Sequence, residues 1–259
     1  MPARGAITGL IFAGFATLAF AQGDERADFI AGRGKKCGGC DLRDLDFRDR
    51  DLKRVKLDKA ILAGADFTGS TLFRASLQRA DFSGAKLGEV DLNKIDAKFA
   101  RFNGAAMQGA LLFEADLSAA DLSGADLSSA RLGKARLTQA DLRGAKLAGV
   151  DLRGARLAGV RFDGAILRSA ILDGQNLREA DMRGVDLTLS DMIEVDLTGA
   201  NLNGAKLAGA NLYRANLHGA DLRGADFEGA NLEHAILTDA LLEGANFDAA
   251  IMPDGKKRE

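Results

Sequence analysis

From Leu42 to Met252 a large apolar residue recurs at every fifth position: all 43 are Leu, Phe or Met except Ala97. Two residues before each lies a small position running from Cys40 to Ala250, where 30 of the 43 residues are alanine. Most exceptions there are small or β-branched, such as Val90, Val150 and Ser190. The residue just before the large one is commonly Asp or Asn, as in Asp141 and Asn201. A period of five matches neither the 3.6 of a helix nor the 2.0 of a strand. The two inward positions are separated by two residues and then by three. Each unit is therefore expected to be one short extended side followed by a corner.

The corner position, two residues after the large one, sets the number of sides. It is glycine ten times running at a spacing of 20, from Gly64 and Gly84 to Gly224 and Gly244. In the other three phases of that spacing glycine is a minority. Glycine relieves the cost of positive φ and of close approach between stacked turns, so one corner in four differs from the rest. Four sides per coil, about 20 residues, is the simplest account. Such a chain is a solenoid in which each segment is buried against its neighbours.

The A-(D/N)-L-x-x units, typified by Ala140-Asp141-Leu142 and Ala200-Asn201-Leu202, resemble the pentapeptide repeat family. The resemblance covers nearly the whole chain after the first 36 residues. It implies an all-β fold, a right-handed quadrilateral β-helix of ten to eleven coils with the large and small residues inward. At the usual spacing of about 4.8 Å that is a rod of roughly 50 Å. Phe99 is expected to cover the volume missing at Ala97. The organisation predicted is a signal peptide at 1–21, an N-terminal cap or linker at 22–36, the β-helix at 37–252 and a polar C-terminal tail at 253–259. Both ends need caps, because an open β-helix end pairs with other chains.

Composition agrees with a narrow core: 31 glycines, no tryptophan, one tyrosine and two prolines. The first 21 residues read as an export signal, with Arg4 ahead of an uncharged run from Ala6 to Phe20 and Ala19-Phe20-Ala21 before the cleavage point. The run is short for a membrane span, so no stable membrane insertion is expected after cleavage. A periplasmic or secreted location follows, in an oxidising compartment. The net charge of −2, or −3 without the leader, gives no strong overall field for recruiting nucleic acid.

Cys37-Gly38-Gly39-Cys40 falls in register, with Cys37 at a large position and Cys40 at a small one. A redox pair would open a helix after a strand. Haem attachment needs histidine where Asp41 stands, and a zinc site lacks a second ligand pair, since His218 and His234 are about 180 residues away. A structural disulfide across one corner is the reading that fits best. A similar pair begins the repeats in some exported relatives of the family.

Candidate chemistry is otherwise sparse. The two histidines have no nucleophile and orienter beside them, and no phosphate-loop or dinucleotide motif is present. Asp116, Asp121 and Asp126 occupy the polar position of the repeat, where a short side chain bonds local backbone. No enzyme activity, cofactor or metal is expected. Two sides on from the glycine corner, the residue after the large one is Phe73, Phe113, Ile193 and Tyr213 in four coils, and the corner carries Arg54, Arg74, Lys94, Lys134 and Arg214. Aromatics with arginine nearby are favoured at contact surfaces, although large residues also simply cover an extended strand surface. The expectation is an exported, non-enzymatic scaffold with an unidentified protein partner on this side and end-to-end pairing of two copies. The alternative implied by the resemblance is mimicry of duplex DNA toward DNA gyrase, which some family members perform. That role needs a strongly acidic surface and cytoplasmic residence.

Overall fold

The computed structural model describes residues 24–259. From Lys36 to Ile251 nearly every residue in the position before the large one forms a parallel bridge with the residue 20 further on, as in Asp41 with Ile61 and Asp121 with Asp141. The coil therefore has 20 residues and four faces, each contributing one bridge per coil. We number the faces from their bridge residues. Face 1 begins at Asp41, face 2 at Asp46, face 3 at Asp51 and face 4 at Lys56. The sides are shorter than the extended segments expected from the sequence. Each corner is a four-residue turn that begins on the large residue and ends on the next small one, leaving a single residue per side to pair.

Four of the five amides in the unit have a regular backbone acceptor, and the fifth explains the sequence motif. In the unit around Leu62, the Ile61 N–H donates to the Cys40 carbonyl one coil back (2.8 Å). The Leu62 and Gly64 N–H groups donate one coil forward, to Asp81 (2.7 Å) and Ser83 (3.0 Å). The Ala65 N–H closes the turn on Leu62 (3.1 Å). One amide per unit, on the residue after the large one, has no backbone acceptor. The Asp or Asn before the large residue takes it, as Asp116 Oδ1 does from Ser118 (3.2 Å) and Asn201 Oδ1 from Asn203 (3.1 Å). Where that Asp or Asn is absent, the coil before can supply the acceptor: Asn93 Oδ1 accepts from Phe113 (2.8 Å) and Asp58 Oδ1 from Gln78 (2.9 Å). In these units the fifth amide is thereby satisfied.

The corner residue is in the left-handed region at every face, not on the glycine corner alone. Gly84 and Gly104 have φ of 64° and 65°, and Arg74, Glu114 and Leu189 have φ of 57°, 57° and 59°. A Cβ added to Gly84, Gly104 or Gly144 would meet nothing within 4 Å. Neither φ nor crowding separates the glycine corner from the other three, and nothing in the structure explains its regularity.

The core is a narrow column of the large and small residues, almost all fully buried, with phenylalanines stacked one coil apart. Phe82 and Phe102 rings lie 5.1 Å apart at 12°, and Phe227 and Phe247 lie 5.0 Å apart at 6°. Phe99 does not fill the place of Ala97. It sits on an exposed corner at φ 58°, half accessible, beneath Arg79. The unit instead carries its bulk two residues before Ala97, where Ile95 replaces alanine and is buried.

Both ends are covered in different ways. Residues 24–30 form helix α1, whose buried Phe29 rests on Phe47 at 5.6 Å. Arg50 locks it, bonding the Phe29 and Ile30 carbonyls while its guanidinium lies over both rings. At the other end the chain after Pro253 folds back: Lys257 pairs antiparallel with Ile251, and Arg258 covers the Phe247 ring. That cover is partial, and Leu241 and Leu242 remain 51% and 39% exposed.

The ladder is broken in one region. In the preceding coil Leu137 and Gln139 donate to the Arg156 and Ala158 carbonyls (both 2.9 Å). One coil further on, the amides of Leu157 and Gly159, and that of Asn176 in return, have no backbone acceptor among the described residues, and the bridge between Arg156 and Asn176 is absent. Faces 3 and 1 keep their bridges on either side, Asp151 with Ile171 and Arg161 with Asp181, but the amides of Asp151, Gly154 and Asp181 there also lack a backbone acceptor among the described residues. The seam on face 4 lies where Gln175 occupies a small inward position. Its side chain is 95% buried, since 5% stays accessible, and it is far longer than the alanine the column normally admits there. The break coincides with this residue, whereas Ile95, buried at the same position of face 4, leaves the ladder intact.

Candidate functional site

The residues expected at the contact side do share face 3. Phe73, Phe113, Ile193 and Tyr213 all sit on the residue after the large one, and Arg54, Arg74 and Arg214 on the corner beside it. They form two groups along the face, with Phe73 and Phe113 two coils apart and Ile193 and Tyr213 on adjacent coils. Phe73, Ile193 and Tyr213 are half-buried and Phe113 is 39% exposed. Each aromatic carries a cation: Arg74 over Phe73 (5.2 Å), Lys134 over Phe113 (5.6 Å) and Arg214 over Tyr213 (5.1 Å). His234 packs edge-on against Tyr213 at 5.6 Å. The side chains are thus held down as amphipathic pairs, apolar ring below and charge above.

Beside Phe113 lies a cleft of about 780 Å³, walled by Phe113, Arg131, Lys134 and Arg153 and floored in part by Gly133 and Gly149. A second of about 670 Å³ opens round the corner on face 4, lined by Lys98, Lys134, Arg136 and Arg156 together with the carboxylates of Asp96, Glu114 and Asp116. A third, of about 420 Å³, is the seam itself, lined by Arg156, Leu157, Gly159, Gln175, Asn176 and Arg178. Sequence reasoning missed the last two. The signal for the seam was Gln175, a polar residue in a column of alanines.

Elsewhere the polar groups are consumed by the repeat. The Ser118, Ser123 and Ser128 hydroxyls donate to Asp116, Asp121 and Asp126 (2.6, 2.6 and 2.7 Å), so none is poised as a nucleophile. His218 and His234 are exposed, beside Asp239 and Glu233 at 3.8 Å. No group of three or more His, Cys, Asp or Glu that could hold a metal occurs among the described residues. Several arginines grip the Asp two residues before them: Arg48 bonds Asp46 through both nitrogens (3.0 and 2.6 Å). The Arg48 side chain and its backbone N–H together hold the Asp46 carboxyl down at about 2, and Arg43 does the same to Asp41. Asp141 is lowered by Arg143.

Cys37 and Cys40 are both buried and are joined by a disulfide, their Cα atoms 5.3 Å apart across the first corner. No helix of the described residues is long and apolar enough to cross a membrane.

The chain matches the model of pentapeptide repeats in eight copies, which extend over residues 36–112 and 120–254. No curated protein matches it. Among solved structures it is similar to HetL, a pentapeptide repeat protein involved in heterocyst differentiation regulation in the cyanobacterium Nostoc sp. strain PCC 7120. The identity is 30%, over 91% of this chain and 98% of that one, with a TM-score of 0.48. It is also similar to QnrB1, a plasmid-mediated fluoroquinolone resistance protein, at 19% identity over 80% and 88% of the two chains and a TM-score of 0.35. A pentapeptide repeat protein of the Arabidopsis thaliana thylakoid lumen shares 28% identity over 58% and 69%, with a TM-score of 0.18. With its repeats matched across most of its length, the chain belongs to the pentapeptide repeat family.

Proposed function

We propose that this protein is an exported, non-enzymatic scaffold that binds a protein partner through face 3. The single observation that carries the reading is the set of ringed cations there, Arg74 on Phe73, Lys134 on Phe113 and Arg214 on Tyr213. Aromatic and arginine side chains of this kind supply much of the energy at interfaces. Arg54 and Ile193 extend the same face. Family membership supports a structural or interaction role, and the use of serines and aspartates within the turns supports the absence of catalysis.

Export rests on the leader at residues 1–21, which lies outside the described residues. The reading includes a right-handed coil of ten to eleven turns, a Cys37–Cys40 bridge formed outside the cytoplasm to brace the first turn, and pairing of two copies at the open end marked by Leu241 and Leu242. Gyrase-directed DNA mimicry fits less well. A duplex mimic needs continuous negative charge, and here Arg131, Arg136, Lys146 and Arg156 stand among the bridge positions.

The test is a comparison of partners captured from the exported fraction by wild type and by a Phe73→Ser, Phe113→Ser, Tyr213→Ser variant. A partner retained by wild type and lost by the variant supports face 3. The same set of partners on both removes it. Determining the N-terminal residue of the mature chain checks export; Gln22 is expected.

A further inference from the structure

The overall charge of −2 conceals a strong segregation. Residues 131–168 hold nine basic and three acidic side chains, a net of +6, whereas residues 169–259 hold eight basic and sixteen acidic, a net of −8. About half of the cations among the described residues are paired with a neighbouring carboxylate, as Arg153 is with Asp151 (2.7 Å) and Arg143 with Asp141 (2.6 Å). Arg131, Lys134 and Arg156 are not: none has a carboxylate within ion-pair distance among the described residues, and all three are exposed. They lie across the corner between faces 3 and 4, Lys134 sharing one cleft with Arg131 and the next with Arg156.

Two further features are costly for the protein alone. Arg156 is paired directly against Arg136 on the adjacent coil, and like charges opposite each other across a ladder are destabilising. Arg156 also stands at the mouth of the seam, where the Leu157 and Gly159 amides lack backbone acceptors among the described residues. In the regular register those two amides point along the coil axis into this gap. Unused amide donors beside an unpaired guanidinium are what an oxyanion recognises.

We propose that Arg131, Lys134 and Arg156, with the amides of Leu157 and Gly159, form a binding site for a compact, multiply charged oxyanion of the oligophosphate or oligosulfate kind. A single anion would satisfy only one part of the corner, while a short chain of them reaches from Arg131 to the seam. Gln175 supplies a carboxamide at the inner end. The site is narrow, because Asp96, Glu114, Asp116 and Asp151 line the same clefts, and Asp173 on face 3, Glu194 on its corner and Asp196 on face 4 follow in the coils beyond. A flat anionic membrane laid along the protein would press against those carboxylates, so a soluble ligand is the occupant. The site shares Phe113's cleft with the proposed partner surface but does not depend on it.

The experiment is calorimetric titration of the mature chain with sodium tripolyphosphate at low ionic strength, with circular dichroism confirming that each variant is folded. Wild type is expected to bind. An Arg131→Gln, Lys134→Gln, Arg156→Gln variant is expected to lose at least tenfold in affinity. A Lys56→Gln, Lys59→Gln, Lys206→Gln variant, equal in charge removed, should keep it. Gln175→Ala, which removes that carboxamide, should weaken binding with every cation in place. No binding at millimolar tripolyphosphate, or equal losses in the two triple variants, would overturn the proposal. So would binding seen only with phosphatidylserine vesicles, since the surface would then be a membrane patch.

Discussion

At the scale of single residues, the repeat is an accounting of amides. Four of each five are taken by backbone carbonyls, and an Asp or Asn before the large residue, where present, takes the fifth, which is why a polar residue is so common there. The large residue was legible in the sequence for the same reason: it starts every turn and fills the column. Leu142, fully buried at mid-column, should cost about 2–5 kcal/mol when changed to alanine, read from the denaturant midpoint. The corners were only half legible. A regular glycine suggested that one corner was special, yet all four share positive φ, and the charged residues tolerated there hid it. Leu189 is 63% exposed at φ 59°. Leu189→Gly should therefore stabilise the protein, by about 1 kcal/mol, as a left-handed Leu is relieved of strain. Unchanged or lower stability would count against that account of the corners. Acid should act through the arginine-held aspartates. Their folded values lie near 2 against an ordinary 3.8, so their contribution is complete above about pH 4 and is lost as pH falls toward 2. Melting temperature followed from pH 7 to 2 should drop in that window. An Arg43→Gln, Arg48→Gln variant should show a shallower drop there.

Elements come next, and here they are caps, corners and one seam. Helix α1 is held by one ring and one guanidinium, Phe29 and Arg50. The Cys37–Cys40 bridge closes a loop of four residues beside it. The chain-entropy relation gives so short a loop about 2 kcal/mol. Reduction of the wild-type protein should lower its unfolding free energy by that order, without changing the fold seen by circular dichroism. The short helix was read as an undefined cap or linker, since seven residues carry too little periodicity to identify. The seam was not read at all. It coincides with one residue, Gln175, and a five-residue pattern averages over such exceptions.

Across the whole molecule, charge behaved in the same way. A total of −2 describes neither the basic coils nor the acidic ones after them. The segregation was visible in the sequence, but its meaning came from the fold. Stacking at 20 residues sets Arg136 against Arg156 and carries Lys134 to the corner between two clefts. The central structural claim is one ladder in a 20-residue register, interrupted on face 4 beside those arginines. Residue-resolved amide exchange on the folded protein tests it most directly, because exchange reports local opening. The account predicts slow exchange at Leu122, Leu137, Leu142 and Leu202, and fast exchange at Leu157, Gly159 and Asn176, with Asp151, Gly154 and Asp181 beside them also lacking a ladder acceptor. Protection at Leu157, Gly159 and Asn176 equal to that of Leu137 and Gln139 would contradict the seam, and fast exchange at Leu142 would contradict the ladder itself.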